Sequence, residues 1–342
     1  MVRSARRTGS TRRPIRVRAR AGSRGHAGAV PAAAAVLALG LLSGCGGGAA
    51  SSRAAPAAGK GTATGSASAS AGPSDGAAPS ADASFQDLEH RFHARLGLFL
   101  LDTGTGRTVT YQADRRFATC STVKALAAAA LLRKDDDADL ARTIRYSRSD
   151  LLDYAPVTSR HVADGMPLSD VIAAALQYSD NTAENLMLRE LGGPAGLQRA
   201  VREFGDTTTH VDRTEPSLNE AAPGDVRDTS TARALGTDLR ALLLGPALPA
   251  ARRARLTDRM LHNTTGGPYI RAALPQGWKA ADKTGSGGHG TRNDIGVVWP
   301  ASGSPIVVGV LSDRDRQDAP SDDALVADAV RTGLTALRGP AS

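Results

Sequence analysis

The stretch Ser121-Thr122-Val123-Lys124 runs directly into residues 125–132, which are almost entirely Ala and Leu. Ala and Leu are strong helix formers, so the sequence predicts a helix that opens at Ser121. Because Ser121 and Lys124 are three positions apart, their side chains project from one face about one turn apart. The chain has only five Lys among its 42 basic residues, and Lys, unlike Arg, can lose its proton when desolvated. The pair therefore fits a serine nucleophile with a nearby base.

Two further short motifs lie downstream, Ser-Asp-Asn at residues 179–181 and Lys-Thr-Gly-Ser at residues 283–286. Each also has an ordinary structural interpretation, because Ser, Asp and Asn cap helices well and the second motif fits a strand that ends in a turn. An S-x-x-K spacing arises by chance roughly once in a chain of this length. The three motifs together, in this order, favour an enzyme that transfers acyl groups through a serine.

Strand patterns lie near both ends of the chain that follows residue 83. Residues 96–101 and 108–111 predict a β-hairpin, and residues 278–284, 294–299 and 306–311 predict three later strands.

Helical patterns fill the region between these strands. The amphipathic stretches are residues 184–191, 197–204 and 232–244, and a last helix is predicted over residues 322–337. The pattern predicts an α/β fold of the α+β type. It has an antiparallel five-stranded sheet built from both termini, flanking helices and an inserted all-helical subdomain. We expect the active site in the cleft where the two halves meet.

With its three motifs, this organisation resembles the class A serine β-lactamases over essentially the whole of residues 83–342. The resemblance implies that Ser121 attacks the substrate and that Lys124 assists. It also implies that Ser179 relays a proton to the leaving nitrogen, that Asn181 binds the substrate amide, and that Asp180 is structural. The resemblance leaves open whether Lys124 or a glutamate deprotonates Ser121.

The same resemblance assigns the Lys-Thr-Gly-Ser motif to substrate binding. It implies that Lys283 and Thr284 meet the substrate carboxylate and that Gly285 permits close approach of the substrate to the backbone. The backbone N–H groups of Ser121 and Ser286 would form the oxyanion hole.

The segment from Arg213 to Asp228 separates this family from the penicillin-binding proteins, which share the first three motifs. Glu215 and Asn219, four residues apart, can hold one water molecule between a carboxylate and an amide. The family places such a pair in an Ω-shaped loop. Arg213 and Asp228 carry opposite charges at its ends and are expected to hold it closed, and the resemblance implies a cis bond between Glu215 and Pro216.

Two further site residues follow from the resemblance alone. Tyr154 would form a wall of the cleft, and Arg292 would help to bind the substrate carboxylate. The chain departs from some family members at Thr214, where an aromatic residue can stand beside the glutamate, and Cys120 and Ser286 occupy variable positions. Cys120 is expected to be a small buried hydrophobe rather than a nucleophile.

The first 45 residues predict an export signal. They contain nine Arg and no Asp, Glu or Lys, followed by an apolar run at residues 29–42 that is short for a membrane span. The run ends in Leu-Ser-Gly-Cys, which resembles the lipobox of bacterial lipoproteins and implies lipid modification of Cys45. Residues 46–82 are mostly Gly, Ala, Ser and Pro, which predicts a disordered linker before the domain at residues 83–342. Arg12-Arg13 leaves export by the twin-arginine route open.

The net charge of +8 belongs to this leader, because the remaining chain has 33 basic and 34 acidic residues. The body therefore gives no reason to expect a nucleic-acid partner. The seven His residues have no metal-binding spacing, so we expect neither metal nor cofactor. We predict an exported monomer that faces the outside of the cell membrane through its lipid anchor and is also released. Two alternatives remain: a D-alanyl-D-alanine peptidase or penicillin-binding protein, and a tethered β-lactam sensor.

Overall fold

The protein is described by a computed structural model that covers residues 81–338. The predicted export signal, the lipobox at Cys45 and nearly all of the predicted linker lie outside these residues. The first helix begins at Ala81, two residues before the predicted domain boundary.

An antiparallel sheet of five strands forms the frame of the domain. The strands of the described chain are β1 (Arg95–Asp102), β2 (Thr108–Tyr111), β3 (Arg116–Ala118), β4 (Thr143–Ile144), β5 (Met166–Pro167), β6 (Thr229–Thr231), β7 (Lys279–Ser286), β8 (Arg292–Trp299) and β9 (Ile306–Asp313). The sheet has the order β2-β1-β9-β8-β7, so a strand from the N-terminal part pairs with the last strand of the chain. This confirms the predicted sheet built from both termini.

The helices surround this sheet and build the insertion. They are α1 (Ala81–Phe92), α2 (Lys124–Lys134), α3 (Asp137–Ala141), α4 (Leu168–Tyr178), α5 (Asn181–Leu191), α6 (Pro194–Glu203), α7 (Ala232–Leu239), α8 (Ala250–Leu261) and α9 (Ala324–Arg338). A π-helical turn, Arg240–Leu244, follows α7. Within residues 81–338, no helix has both the length and the apolar character that a membrane span requires.

Both faces of the sheet are covered, and the alternation of side chains along each strand explains how. On β1, Leu98 and Leu100 pack with α1 and α9, whereas Phe99 points into the core shared with α7 and the insertion. On β9, Val308 likewise packs on the side of α1 and α9, and Val307 points into the core shared with α7 and the insertion. Such strands are apolar at successive positions, as expected for a sheet buried on both sides.

The insertion is helical apart from a two-residue pairing of β4 with β5, and a second short ladder joins β3 to β6. These ladders were not predicted, because two or three residues carry no periodic signal. Helix α2 is buried along nearly all of its length and lies at the centre of the insertion, packed against α4, α5, α6 and α8. Its small Ala side chains permit this close packing. Its N-terminal end therefore lies where the insertion meets the sheet.

Candidate active site

Ser121 lies in a single 3₁₀ turn, Cys120–Val123, that leads directly into α2. Its exposed fraction is only 8%, so the hydroxyl is largely shielded but still reachable from the cleft. Lys124 is the first residue of α2, and its side chain is completely buried. The shared face of the two residues is confirmed, whereas the α-helix itself begins at Lys124, three residues after the predicted start at Ser121.

The ammonium group of Lys124 is held by three short hydrogen bonds. Nζ donates to Ser121 Oγ at 2.8 Å, to the backbone oxygen of Ser179 at 2.9 Å and to Asn181 Oδ1 at 2.7 Å. Glu215 Oε1 lies 3.0 Å from the same nitrogen and supplies the opposite charge. Three acceptors match the three hydrogens of an ammonium group. Lys124 thus joins the nucleophile, the Ser-Asp-Asn motif and the glutamate in one network.

The Ser-Asp-Asn motif forms the turn between α4 and α5 and places two acceptors beside Lys124. Ser179 adopts a left-handed conformation, with φ of 56°, between α4 and α5. Asp180 is the N-cap of α5 and accepts a hydrogen bond from the backbone N–H of Ala183 at 2.9 Å. The same carboxylate accepts from the backbone N–H groups of Val157 and Thr158. Asp180 therefore fixes the turn from which its two neighbours reach Lys124.

Lys283 brings a second buried ammonium group to the site from β7. Its Nζ donates to Ser179 Oγ at 3.0 Å and to the backbone oxygen of Thr284 at 2.9 Å. Ser179 Oγ also lies 3.5 Å from Lys124 Nζ, so the hydroxyl stands between two lysines. Burial, with a further contribution from the charge of Lys124, lowers the pKa of Lys283 to about 7.

The end of β7 passes close to the turn that carries Ser121. A Cβ atom placed on Gly285 would lie 2.9 Å from the backbone oxygen of Thr119, so a larger residue here would push the strand away. Thr284 Oγ1 shares a hydrogen bond of 2.6 Å with Thr265 Oγ1, and Ser286 is exposed at the strand end. The glycine therefore permits close approach of two parts of the protein backbone.

Glu215 lies on the loop formed by residues 213–228, with an exposed fraction of 3%. Asn219 Nδ2 donates to Glu215 Oε2, which joins the carboxylate and the amide that were predicted to share a water molecule. Asn185 of α5 holds the Glu215 backbone from both sides, accepting from its N–H and donating to its carbonyl oxygen, each at 2.9 Å. This pair of hydrogen bonds was not predicted, although Asn185 lies one helical turn after Asn181, which was.

The loop is closed by the ion pair expected at its ends. Asp228 Oδ2 accepts from Arg213 Nε at 2.5 Å. Oδ1 of the same carboxylate accepts from the backbone N–H groups of Arg213 and Asp212, at 2.9 and 2.8 Å. The Glu215–Pro216 bond is cis, as the resemblance implies.

Two predicted residues lie at the rim of the site. The backbone oxygen of Tyr154 accepts from the N–H of Asn181 at 2.9 Å, and half of this tyrosine is exposed. Arg292 pairs with Ser286 in the β7–β8 register, and its Nε donates to Asp323 Oδ1 at 2.9 Å. Tyr154 thus borders the cleft, whereas Arg292 already has a carboxylate partner at the strand end.

Cys120, the neighbour of the nucleophile, is completely buried. Burial raises the pKa of its thiol to about 12, with Glu215 adding to the effect. A thiol in this state stays protonated and unreactive at neutral pH. The expectation of a small buried hydrophobe is confirmed.

Glu184 of α5 is a charged residue of the site that was not predicted. Its side chain is completely buried, and burial raises its pKa to about 7. No sequence pattern indicates this burial, because a Glu in an amphipathic helix is ordinarily assigned to the solvent face.

A serine held by a buried lysine, facing a glutamate on a braced loop, defines a serine enzyme that works through a covalent acyl intermediate. The model of the Beta-lactamase enzyme family matches residues 80–335. A beta-lactamase of Bacillus licheniformis is 51% identical over 253 residues, which are 74% of this chain and 82% of that protein. The class A beta-lactamase structure from Clostridium kluyveri has 43% identity and a TM-score of 0.74, and the match covers 75% of this chain and 98% of that one. The beta-lactamase structure from Streptomyces albus G has 46% identity and a TM-score of 0.73, with coverage of 74% and 98%. The chain belongs to the β-lactamase enzyme family, among the class A serine β-lactamases.

Proposed function

We propose that the protein hydrolyses the β-lactam ring of penicillins and cephalosporins through a serine acyl-enzyme and thereby gives antibiotic resistance. The observation that carries this proposal is the position of Glu215. Its carboxylate lies 3.0 Å from Lys124 Nζ, and that nitrogen lies 2.8 Å from Ser121 Oγ. A carboxylate so close to the nucleophile can activate water against the covalent intermediate.

In the acylation step, Ser121 Oγ attacks the lactam carbonyl carbon and the ring C–N bond breaks. The proton of the hydroxyl passes to Lys124 once its ammonium group has given one proton to Glu215, 3.0 Å away, or it passes to Glu215 directly through a water molecule. Ser179, which stands between the two lysines, delivers its proton to the nitrogen that leaves and takes a replacement from Lys124, to which Glu215 then returns its proton. The backbone N–H groups of Ser121 and Ser286 stabilise the negative charge that develops on the carbonyl oxygen.

In the deacylation step, Glu215 takes a proton from water while the water oxygen attacks the ester carbonyl carbon. The bond to Ser121 Oγ breaks, and the serine recovers its proton. Asn219 orients the water together with Glu215, since its amide already contacts the carboxylate. The hydrogen bond between the Glu215 backbone and Asn185 and the ion pair between Arg213 and Asp228 keep this carboxylate in place.

Substrate binding uses the remaining motif residues. Asn181 Oδ1 is engaged by Lys124, which leaves its Nδ2 group to donate to the substrate amide oxygen. The Lys283 ammonium and the Thr284 hydroxyl bind the substrate carboxylate, with Arg292 adding positive charge. Gly285 keeps the strand backbone open to the substrate, and Tyr154 forms a wall of the cleft.

Turnover of a chromogenic cephalosporin by purified protein tests this function. We expect many turnovers per enzyme and no release of D-alanine from a peptide ending in D-alanyl-D-alanine. Release of D-alanine, with a stable adduct formed on penicillin, would instead support the peptidase. A stable adduct on penicillin, with neither β-lactam hydrolysis nor release of D-alanine, would support the sensor.

We also propose that the protein is exported, anchored to the outer side of the cell membrane through lipid on Cys45, released in part, and monomeric. The support is the Arg-rich leader, its apolar run and the Leu-Ser-Gly-Cys end. Cells labelled with a fatty acid are expected to place label on the parent and none on Cys45→Ser. An unlabelled parent would contradict the anchor, and light scattering on the purified domain tests the monomer.

A further inference from the structure

Residues 287–291 form the turn between β7 and β8, and this turn lies against the loop that carries Glu215. The backbone N–H of Gly288 donates to the backbone oxygen of Asn219 at 2.8 Å. A Cβ atom placed on Gly287 would lie 2.7 Å from the same oxygen. That separation is too short for a side chain, so the two backbones are in direct contact. A displacement of the turn would therefore displace the backbone of Asn219.

The opposite side of the turn is held by residues 314–319, which follow β9. His289 donates its backbone N–H to the backbone oxygen of Gln317 at 3.0 Å, and its own carbonyl oxygen accepts from the N–H of Arg314 at 2.7 Å. The ring nitrogen Nδ1 of His289 lies 3.1 Å from the backbone oxygen of Asp315. His289 has a left-handed backbone, with φ of 56°, which is uncommon for a residue other than glycine. The turn therefore contacts a loop on each of its two sides.

The side chain of Arg314 adds a charged group to this second contact. Its exposed fraction is 7%, and its Nη1 donates to the backbone oxygen of Gly290 at 2.8 Å. Its Nε donates to the backbone oxygen of Phe92, the last residue of α1, at 3.3 Å. A planar guanidinium group fixes the relative position of the two carbonyl groups that it binds. Arg314 therefore joins the turn to the end of α1.

The charge of Arg314 is buried without a carboxylate of its own. Burial, the largest effect, lowers the pKa of Arg314, and the carboxylates that oppose this effect are Asp322 and Asp313. Asp322 Oδ1 accepts from the backbone N–H of Ala324 at 2.9 Å. Asp313 Oδ1 accepts from Arg95 Nε at 2.5 Å. An apolar residue of similar size would fill this space without burying a charge, but it would not hold the turn.

The contacts continue from the turn to the groups that are proposed to activate water. Asn219, whose backbone meets the turn, donates from Nδ2 to Glu215 Oε2. The N–H of Ser286, assigned to the oxyanion hole, precedes the turn and is held separately, because Ser286 pairs with Arg292 in the β7–β8 ladder. We therefore expect a displaced turn to disturb deacylation, which uses Asn219, more than acylation, which uses Ser286.

We propose that Arg314 is a positioning residue for deacylation. It holds the turn against the backbone of Asn219 and so keeps the Asn219 amide on the carboxylate of Glu215. This role rests on the proposed function, because that function assigns the activation of water to Glu215 and Asn219. Arg314 acts through the turn and not on the reacting atoms.

The substitution Arg314→Met keeps an apolar stem and removes both hydrogen bonds. Misplacing a catalytic group by about 1 Å slows a reaction by up to about 10²-fold, so we expect a partial displacement to slow deacylation about tenfold. Rapid-quench mass measurement of the penicillin adduct gives the rate of its loss, and kcat/KM reports the steps up to acylation. We expect kcat/KM to stay within about threefold of the parent. An unchanged rate of adduct loss in the folded variant, or an equal fall in kcat/KM, would overturn the inference.

Arg253→Met is the matched control. Arg253 of α8 is also a partly buried arginine that donates to a backbone carbonyl oxygen, that of Gly245. This contact lies within the insertion, between α8 and the segment that follows the π-helical turn. We expect its rate of adduct loss to stay within about twofold of the parent. A slowing as large as that of Arg314→Met would mean that lost stability, rather than the lost contact with the turn, slows deacylation.

Arg314→Lys covers the case in which Arg314→Met does not fold. An ammonium group can keep one of the two carbonyl contacts but not the planar fork, so we expect adduct loss to slow about threefold. If Arg314 acts through Asn219, adding Arg314→Lys to Asn219→Ala slows adduct loss by less than about 1.5-fold. Two effects that multiply in full would overturn the inference.

Asn219→Ala alone separates this inference from the proposed function. We expect that variant to lose its adduct more slowly than the parent. If it does so while Arg314→Met and Arg314→Lys lose their adducts at the parent rate, the positioning role is wrong and the proposed function stands. If Asn219→Ala and Glu215→Gln both lose the adduct at the parent rate, the proposed deacylation step is wrong, and the role of Arg314 fails with it.

Discussion

The loop that carries Glu215 is held at its ends by Asp228, and replacing this residue by Asn tests how much that closure contributes. The carboxylate is buried, with an exposed fraction of 3%, and accepts from Arg213 Nε and two backbone N–H groups. An Asn can still accept the two backbone bonds through Oδ1, but its amide nitrogen then faces the Arg213 donor. Breaking one side of a buried ion pair costs 3 to 5 kcal/mol. Because Arg213 keeps Glu220 as a partner, we expect a loss of about 3 kcal/mol.

Denaturant unfolding followed by circular dichroism measures this loss, and hydrogen exchange locates it in residues 213–228. The matched control is Asp225→Asn, in the same loop. Asp225 pairs mainly with the exposed Arg227 and lies 3.7 Å from Arg213. We expect less than about 1 kcal/mol from it. Equal losses from the two variants, or a loss below about 0.5 kcal/mol for Asp228→Asn, would refute the closing role of the pair.

Three further predictions concern stability and reactivity. Burial beside Asp206 raises the pKa of Asp238 from 3.8 to about 9, so the folded state keeps a proton that the unfolded state loses, and stability falls as pH rises through this range. Asp238→Asn removes that slope and stabilises the protein at pH 7 by up to about 4 kcal/mol; parallel stability–pH curves would contradict this. Cys120 should resist alkylation in the folded protein, and Cys120→Ala should keep turnover within about threefold of the parent. Rapid labelling would contradict the first expectation. Gly309→Ala would place a Cβ atom 2.6 Å from the backbone oxygen of Ala232, with an expected loss of about 2 kcal/mol on denaturation; an unchanged midpoint would contradict it.

The sequence predicted the elements whose patterns are long and regular. The hairpin of β1 and β2, the three late strands and the Ala-rich α2 all lie where alternation or helical composition placed them, within a few residues. The short ladders of β3 with β6 and of β4 with β5 were missed, because their pairing is decided by tertiary contacts. Helix α1 was also missed, although only its first two residues lie within the region predicted as linker.

The motif residues of the site were identified in advance, since their types and spacing match a known family. The geometry brings Ser121, Lys124 and Glu215 into one network through contacts between parts of the chain that are far apart in sequence. Asn185 and Glu184 were not predicted, because both occupy ordinary positions in an amphipathic helix. Only the packing of α5 against α2, α4 and α6 shows that Glu184 is buried.

The most direct test is the mass of the protein after brief exposure to penicillin in a variant that lacks the glutamate, Glu215→Gln. Because ring opening releases no fragment, the adduct adds the full mass of the penicillin. Loss of a general base slows its step by roughly 10²- to 10⁴-fold. We expect the adduct to accumulate on Ser121 in Glu215→Gln, and to be undetectable in the parent and in the control Glu220→Gln, an exposed neighbour in the same loop. Turnover of penicillin by Glu215→Gln at the parent rate, with no adduct, would contradict the role assigned to Glu215.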